Sequence, residues 1–102
     1  MAEKVPIWGE ELNIPKESWE GAIRLAKEYL EHCPKDLKNK EKVYAGSLYF
    51  VDKWVRYPNN VRQYQVAKAT KIGVVTIGKY TKKIRSEFSA YDLMHLIGLY
   101  KM

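Results

Sequence analysis

The chain of 102 residues is long enough for one domain with a modest hydrophobic core. Its single cysteine, Cys33, excludes an internal disulfide framework and a zinc ribbon built from cysteines, and it indicates a reducing compartment. No apolar run approaches the roughly 18 residues that a membrane-spanning helix needs, and the start, MAEKVPIWGE, lacks the apolar segment of a signal peptide. We therefore expect a cytoplasmic protein with no membrane partner, associated with the nucleoid in a prokaryote or located in the nucleus of a eukaryote.

The formal charge of +6 belongs to the second half of the chain. Residues 1–58 contain ten basic and ten acidic side chains, whereas residues 59–102 contain eight basic and two acidic ones. No acid occurs between residues 61 and 86, where the basic residues are Arg62, Lys68, Lys71, Lys79, Lys82, Lys83 and Arg85. Such a segment is expected of a nucleic-acid-binding surface, because lysine and arginine displace the counterions around phosphates.

Two helices are predicted before residue 34. Residues 5–12 show a short helical pattern, which residues 13–15, Asn-Ile-Pro, interrupt. Residues 16–33 form a strong amphipathic helix, because their apolar side chains recur at the spacing of one helix face. Pro34 ends this helix, and residues 34–40 are expected to form a polar, lysine-rich loop.

The most apolar segment of the chain, residues 41–56, contains the run VYAGSLYFVDKWV. Its high β-propensity leaves a strand as an alternative. We favour a buried helix, because the apolar character is long and extends around all faces, and its small residues would let neighbouring helices approach closely. A turn at residues 57–60, YPNN, follows.

Residues 61–88, VRQYQVAKATKIGVVTIGKYTKKIRSEF, contain two short helical patterns that meet at a tight break over residues 72–74. Ala67, Ile72 and Ile77 recur at intervals of five, which is the spacing of a helix-turn-helix. In that arrangement Ala67 lets the helices approach closely, Ile72 fills the corner, and Ile77 docks the second helix onto the first.

The turn departs from the common helix-turn-helix pattern in one respect. The glycine that usually precedes the hydrophobic corner residue is replaced by Lys71, and a glycine, Gly73, occurs two places later. We expect Gly73 to supply the backbone freedom of the turn.

The final segment, residues 90–102, is apolar enough to need cover. We expect a last helix, capped by Ser86 or Ser89, that either packs on the domain or forms a homodimer contact.

The order of these segments resembles the cyclin-like repeat of transcription factor IIB and its archaeal counterpart, transcription factor B. The resemblance covers about residues 5–88 and rests on three runs in this sequence: WGEELNIPKESWEGAIRLAKEYLEHC, KVYAGSLYFVDKW and RQYQVAKATKIGVVTIGKYTKKI. It implies an all-α fold, a single cyclin-like repeat of about five helices with a helix-turn-helix, over residues 1–102. It also implies binding to promoter DNA and contacts with TATA-binding protein or RNA polymerase.

The chain departs from this family in two ways. The family core has two repeats and an N-terminal zinc ribbon, whereas this chain has one repeat and no ribbon. The DNA-reading repeat of the family has an arginine directly after its Thr-Ile pair, where this chain has Gly78, although Val75 matches an apolar base contact of the family. The resemblance thus implies a DNA-binding fold with a weaker sequence preference.

Double-stranded DNA is therefore the expected partner, and the second helix of the helix-turn-helix is the expected contact surface. Thr76, Lys79 and Lys83 follow one helical stripe, opposite Ile77 and Ile84, and would enter a groove. The expected DNA-binding residues are Arg62, Gln63, Lys71, Val74, Val75, Thr76, Lys79, Lys82, Lys83 and Arg85.

Three alternatives remain at the level of the sequence. The first is that the basic helix face is only solvated, and the second is that Val74 and Val75 serve helix packing instead of base contact. The third is that the domain is a cyclin-like protein-interaction module that binds an acidic partner. We expect no enzyme, catalytic residue, cofactor or metal, because the sequence has no cluster of Cys and His at metal-ligand spacing around His32 or His95 and no His placed to activate Cys33. One core is expected to contain Trp19, Ile23, Ala26, Leu48, Val51, Val66, Ile72, Ile77 and Ile84.

Overall fold

The computed structural model describes residues 3–97, and the regular secondary structure of this part of the chain consists of helices only, joined by short turns, without a strand. Its α-helices are α1 Lys4–Glu11, α2 Lys16–His32, α3 Lys40–Arg56, α4 Gln63–Thr70, α5 Val74–Glu87 and α6 Ala90–Ile97. The all-α prediction is thus confirmed for the described residues. None of these helices is both long and apolar enough to cross a membrane.

The prediction of a loop at residues 34–40 was wrong, because Pro34–Asn39 forms a 3₁₀ helix that leads directly into α3. Pro34 occupies the first position of this helix, where its fixed φ and missing N–H are tolerated. Asp36 is buried and accepts a 2.7 Å hydrogen bond from the hydroxyl of Tyr29 in α2. That contact holds the 3₁₀ helix against the body of the domain.

The helix α3 is the centre of the domain and packs mainly against α2 and α5. Residues 43–52 of α3 are all buried, which explains the apolar character on every face and rules out the strand alternative. Gly46 lies directly against α5, where an added Cβ would come within 2.9 Å of the Cβ of Tyr80. The hydroxyl of Thr81 in α5 donates to the Gly46 carbonyl at 3.2 Å, so the two backbones are in close contact.

The predicted core exists as one cluster. The buried members are Ala26, Leu48, Val51, Val66, Ile77 and Ile84, and the partly buried members are Trp19, Ile23 and Ile72. Helical spacing identified these residues because each amphipathic helix buries one continuous face.

A buried carboxylate joins α3 to the chain that follows it. Asp52 is 0% exposed, receives a 2.6 Å charged hydrogen bond from Nε of Arg56, and accepts the backbone N–H of Val61 at 2.8 Å. The residues between α3 and α4 are therefore anchored at their far end, which sets the start of α4.

The last described helix, α6, packs on α2, so the packing prediction is confirmed for residues 90–97. Ser89 caps it, because the Ser89 Oγ accepts the N–H of Asp92 at 3.1 Å. Leu93 and Ile97 are buried, and a Cβ added to Gly21 of α2 would lie 3.4 Å from Ile97. The rest of the predicted segment, residues 98–102, lies outside the described residues, and the homodimer contact remains a prediction.

Candidate nucleic-acid interface

The helices α4 and α5 pack on each other and are joined by a turn over residues 71–73, one residue earlier than the predicted break at residues 72–74. Val66 and Ile77 are completely buried on the facing sides, and Ile72 is partly buried at the corner. The N–H of Ile77 donates to the Gly73 carbonyl at 3.0 Å and begins the hydrogen bonding of α5. We call residues 62–88 the α4–α5 unit.

The expected role of Gly73 in the turn was wrong. Lys71 is the residue with left-handed backbone, with φ of 63° and ψ of 29°, whereas Gly73 has φ of −59° and ψ of 146°, which any residue can adopt. Lys71 therefore occupies the position where the common pattern has glycine. The turn keeps the usual backbone geometry with an unusual side chain.

The most solvent-exposed stripe of α5 contains Val75, Lys79, Lys82 and Ser86, at positions i, i+4, i+7 and i+11. Val75 is 85% exposed, although it is apolar. The predicted stripe included Thr76 and Lys83, but both are half-buried, so the outer face is rotated relative to that prediction. The buried face of α5 contains Ile77, Tyr80 and Ile84.

Lys83 points back toward the domain. Its Nζ lies 3.7 Å from Oδ1 of Asp36 and 5.0 Å from the ring centroid of Tyr80. Asp36 also accepts the Tyr29 hydroxyl, and burial together with this hydrogen bond raises the pKa of Tyr29. Lys83 therefore ties α5 to the 3₁₀ helix, in addition to adding positive charge near the surface.

Gln63 also has a role within the protein. Its Nε2 donates to the Val74 carbonyl at 2.7 Å, which joins the starts of α4 and α5. A Cβ added to Gly78 would come within 2.8 Å of that Nε2, so glycine makes room for the Gln63 side chain. Gln63 was predicted as a DNA contact, and the structure gives it the additional task of fixing the α4–α5 unit.

Seven of the ten predicted site residues are exposed on the outside of the α4–α5 unit: Arg62, Lys71, Val74, Val75, Lys79, Lys82 and Arg85. Gln63, Thr76 and Lys83 are half-buried. Within residues 3–97, the five exposed cations of this set form no ion pair with a carboxylate. Their charge is therefore free to meet an anionic partner.

The sequence prediction did not include the lysines at residues 38–42, KNKEK, which the fold places beside the turn of the α4–α5 unit. Charge counting hid them, because the first half of the chain has equal numbers of acids and bases. In space the balance differs, since Asp36, Asp52 and Glu41 are bound by Lys83, Arg56 and Lys4, respectively. The lysine run itself was the signal in the sequence, and its place beside the α4–α5 unit is set by the fold.

Histidine and carboxylate chemistry is concentrated away from this surface. Nε2 of His32 lies 3.3 Å from Oε2 of Glu28, and Nδ1 lies 3.2 Å from Oε2 of Glu87. The imidazole ring packs at a tilt against the ring of Phe88, with the two centroids 5.0 Å apart. These contacts join the end of α2 to the end of α5. Within the described part of the chain, no three His, Cys, Asp or Glu side chains are placed to hold a metal ion.

Comparison of the chain with protein-family models, with curated proteins and with solved structures gives no match. The geometry and charge of the α4–α5 unit therefore carry the functional argument.

Proposed function

We propose that the protein binds double-stranded DNA and acts in transcription, as a regulator or as one repeat of a larger factor, with α5 entering a groove of the duplex. The observation that carries this proposal is the separation of the two faces of α5. Val75, Lys79 and Lys82 face solvent, whereas Ile77 and Ile84 are completely buried. The outer face can therefore contact DNA without disturbing the core.

The electrostatic part of the proposal rests on free cations. Arg62, Lys71, Lys79, Lys82 and Arg85 lie on one unit and have no carboxylate partner among residues 3–97. Each cation that meets a phosphate releases counterions, so the logarithm of the affinity should fall by about 0.9 per contact for each tenfold rise in salt. Binding should be strong at low salt and steeply salt-dependent.

Base contacts are assigned to the first turn of α5. Val75 and Val74 are 85% and 41% exposed, so the packing alternative for Val75 has no support in the structure. An exposed apolar side chain at the N-terminal end of a recognition helix is suited to the methyl group of thymine in the major groove. Thr76 provides a hydroxyl beside it.

We extend the proposal to a single cyclin-like repeat resembling that of transcription factor IIB, with TATA-binding protein or RNA polymerase as candidate partners. The helical order and the break at residues 71–73 support it. Gly78 replaces the base-reading arginine of that family, and here Gln63 occupies the space beside Gly78. Without a guanidinium to pair with guanine, sequence discrimination should be modest.

A second candidate function, binding of an acidic protein partner, is supported by a groove that shares only Arg85 with the proposed DNA-binding residues. A shallow groove is lined by Phe50, Lys53, Trp54, Tyr57 and Arg85. Tyr57 is 72% exposed there, and aromatic residues with arginine are typical of protein interfaces.

A titration of labelled mixed-sequence duplex at several salt concentrations tests the proposal. The variant Lys79→Ala/Lys82→Ala should fold normally, because alanine favours helix and both lysines are exposed. It should bind duplex more weakly and with a salt slope lower by about two. Lys83 is left intact, because it pairs with Asp36.

The matched control is Lys16→Ala/Lys27→Ala, which removes the same charge from exposed positions on α2. It should leave the salt slope unchanged. The proposal fails if the two double variants behave alike, if the parent does not bind duplex at low salt, or if heparin binds as tightly as every duplex tried. Tight binding to an acidic peptide that depends on Tyr57 and Arg85 would favour the second candidate.

A further inference from the structure

A cleft of about 660 Å³ separates the start of α3 from the turn of the α4–α5 unit. One wall consists of residues 37–42, at the end of the 3₁₀ helix and the start of α3. The other wall consists of residues 71–73 and Thr76. We call this the lysine cleft, because it is lined by Lys38, Lys40, Lys42 and Lys71.

The lysine cleft has a net positive charge. Its four lysines are exposed and form no ion pair within the described residues. The only acid among the lining residues, Glu41, is bound at 2.7 Å by Lys4 from α1. The four lysines of the cleft are therefore available to an anion, because its one acid is already paired with Lys4.

The two walls of the cleft are linked through the buried carboxylate of Asp36. Asp36 lies in the 3₁₀ helix and is 4% exposed, and its carboxylate accepts a hydrogen bond from the hydroxyl of Tyr29 in α2. The same carboxylate pairs with Lys83 of α5. Lys38 follows Asp36 by two residues, so its backbone position is set relative to α5 before any ligand binds.

The cleft lies beside the N-terminal turn of α5, since Gly73 and Thr76 belong to its lining. In helix-turn-helix complexes the N-terminal residues of the recognition helix contact base edges in the major groove. The groove is about 12 Å wide, and its edges are the two sugar-phosphate backbones. A chain segment beside the N-terminus of α5 therefore lies where one backbone passes.

We propose that the lysine cleft holds the phosphate backbone of one strand of duplex DNA, with Lys38 and Lys42 as phosphate contacts that act together with Lys71. This inference rests on the proposed DNA-binding function and adds a contact surface from the other half of the chain. The protein then contacts the duplex at two places, because α5 enters the groove and the start of α3 contacts the phosphate backbone at one edge of that groove.

The test compares three double variants with equal loss of charge. Lys38→Gln/Lys42→Gln removes two cleft lysines, Lys79→Gln/Lys82→Gln removes two lysines of α5, and Lys16→Gln/Lys27→Gln removes two lysines of α2. The affinity for one mixed-sequence duplex is measured over a range of salt concentrations. The cleft variant and the α5 variant should each lower the salt slope by about two, and the α2 variant should leave it unchanged.

The outcomes separate this inference from the proposed function. If the α5 variant has a lower salt slope than the parent and the cleft variant has the same salt slope as the α2 variant, the lysine cleft inference is wrong and the proposed function stands. If the parent does not bind duplex, both fail. If the cleft variant loses affinity for polyglutamate by the same factor as for duplex, the cleft is a general polyanion surface and the inference is wrong.

A measurement that leaves the cleft lysines unchanged covers the case in which the cleft variant folds poorly. Neutral methylphosphonates are placed one at a time along each strand of the duplex. Neutralising a contacted phosphate should lower the salt slope by about one, and this effect should disappear in the Lys79→Gln/Lys82→Gln variant at the phosphates that α5 contacts. The inference requires a further run of positions on one strand at which the effect remains in that variant. Absence of such a run would overturn it.

Discussion

The backbone N–H of Val61 donates a 2.8 Å hydrogen bond to the completely buried carboxylate of Asp52. This contact joins the last part of α3 to the residue before the α4–α5 unit. Arg56 supplies the opposite charge at 2.6 Å, so the carboxylate is both paired and hydrogen-bonded. The position of the proposed DNA-binding surface thus depends on an acid that no DNA would touch.

Replacing Asp52 by alanine should lower the free energy of unfolding by about 2–4 kcal/mol, because the Val61 N–H loses its acceptor and Arg56 loses its partner. Urea denaturation followed by circular dichroism measures this change. The control is Lys53→Ala at the neighbouring exposed position, which should change the stability by less than about 0.5 kcal/mol. Equal stability of the two variants would show that the Asp52 contact contributes little.

Replacing Lys71 by glycine should raise the free energy of unfolding by about 1 kcal/mol. Lys71 has φ of 63°, a conformation that costs a residue with a Cβ roughly 1–2 kcal/mol and costs glycine almost nothing. The measurement is the midpoint of chemical denaturation, with Lys68→Gly in α4 as the control. That control should be destabilised by about 1 kcal/mol, because glycine disfavours a regular helix. A destabilised Lys71→Gly variant would contradict the assigned backbone geometry.

Replacing Gly46 by alanine should destabilise the protein by about 1–3 kcal/mol, because the new methyl group would overpack the contact between α3 and α5. The atoms it meets include the backbone nitrogen of Thr81 at 3.2 Å, which cannot rotate away. Gly73→Ala is the matched control, since its nearest neighbour would be the Thr76 hydroxyl at 3.9 Å. Thermal unfolding measures the stability of both variants. A Gly46→Ala protein as stable as the parent would contradict the close approach of α3 and α5.

Stability should fall as the pH rises above 10. Burial, and secondarily the hydrogen bond to Asp36, raises the pKa of Tyr29 above its ordinary value of 10.0. A raised folded-state pKa gives stability that is complete below the unfolded pKa and is lost as the pH rises through the folded one.

The Tyr29→Phe variant should therefore be less stable near neutral pH and should lose less stability in alkali than the parent. Burial also raises the pKa of Tyr44 and Tyr80, so part of the alkaline loss should remain. Urea unfolding at a series of pH values measures the slopes, and exposed Tyr64→Phe is the control. Parallel slopes for the parent and Tyr29→Phe would contradict the role of Tyr29.

Local pattern predicted most of the helices. The boundaries of α2 and α3 follow from apolar spacing and from Pro34, because these signals act within a few residues. The 3₁₀ helix was missed, because it depends on the contact of Asp36 with Tyr29 and Lys83, and Lys83 lies far along the chain. A polar, lysine-rich composition alone does not reveal such an anchor.

The same division applies to the candidate interface. Acid-free basic sequence and helical spacing placed Lys79 on the outer stripe of α5 and Lys82 beside it, and both are exposed, since charge and spacing are local properties. The internal tasks of Gln63 and Lys83 required knowledge of which helices meet. The lysines of residues 38–42 were missed for a related reason, because charge summed along a chain differs from charge summed over a surface.

The contact of Gly46 with Tyr80 shows that α5 depends on α3 for its packing. The inner side of α5 is covered largely by α3, from the other half of the chain, so a peptide of residues 61–88 would leave Ile77, Tyr80 and Ile84 uncovered in water. The unit cannot be grafted onto another scaffold as a free-standing segment. Changes in α3 during evolution would therefore alter the orientation of α5, and with it the sequence preference of the proposed DNA-binding surface, without changing any exposed residue of α5.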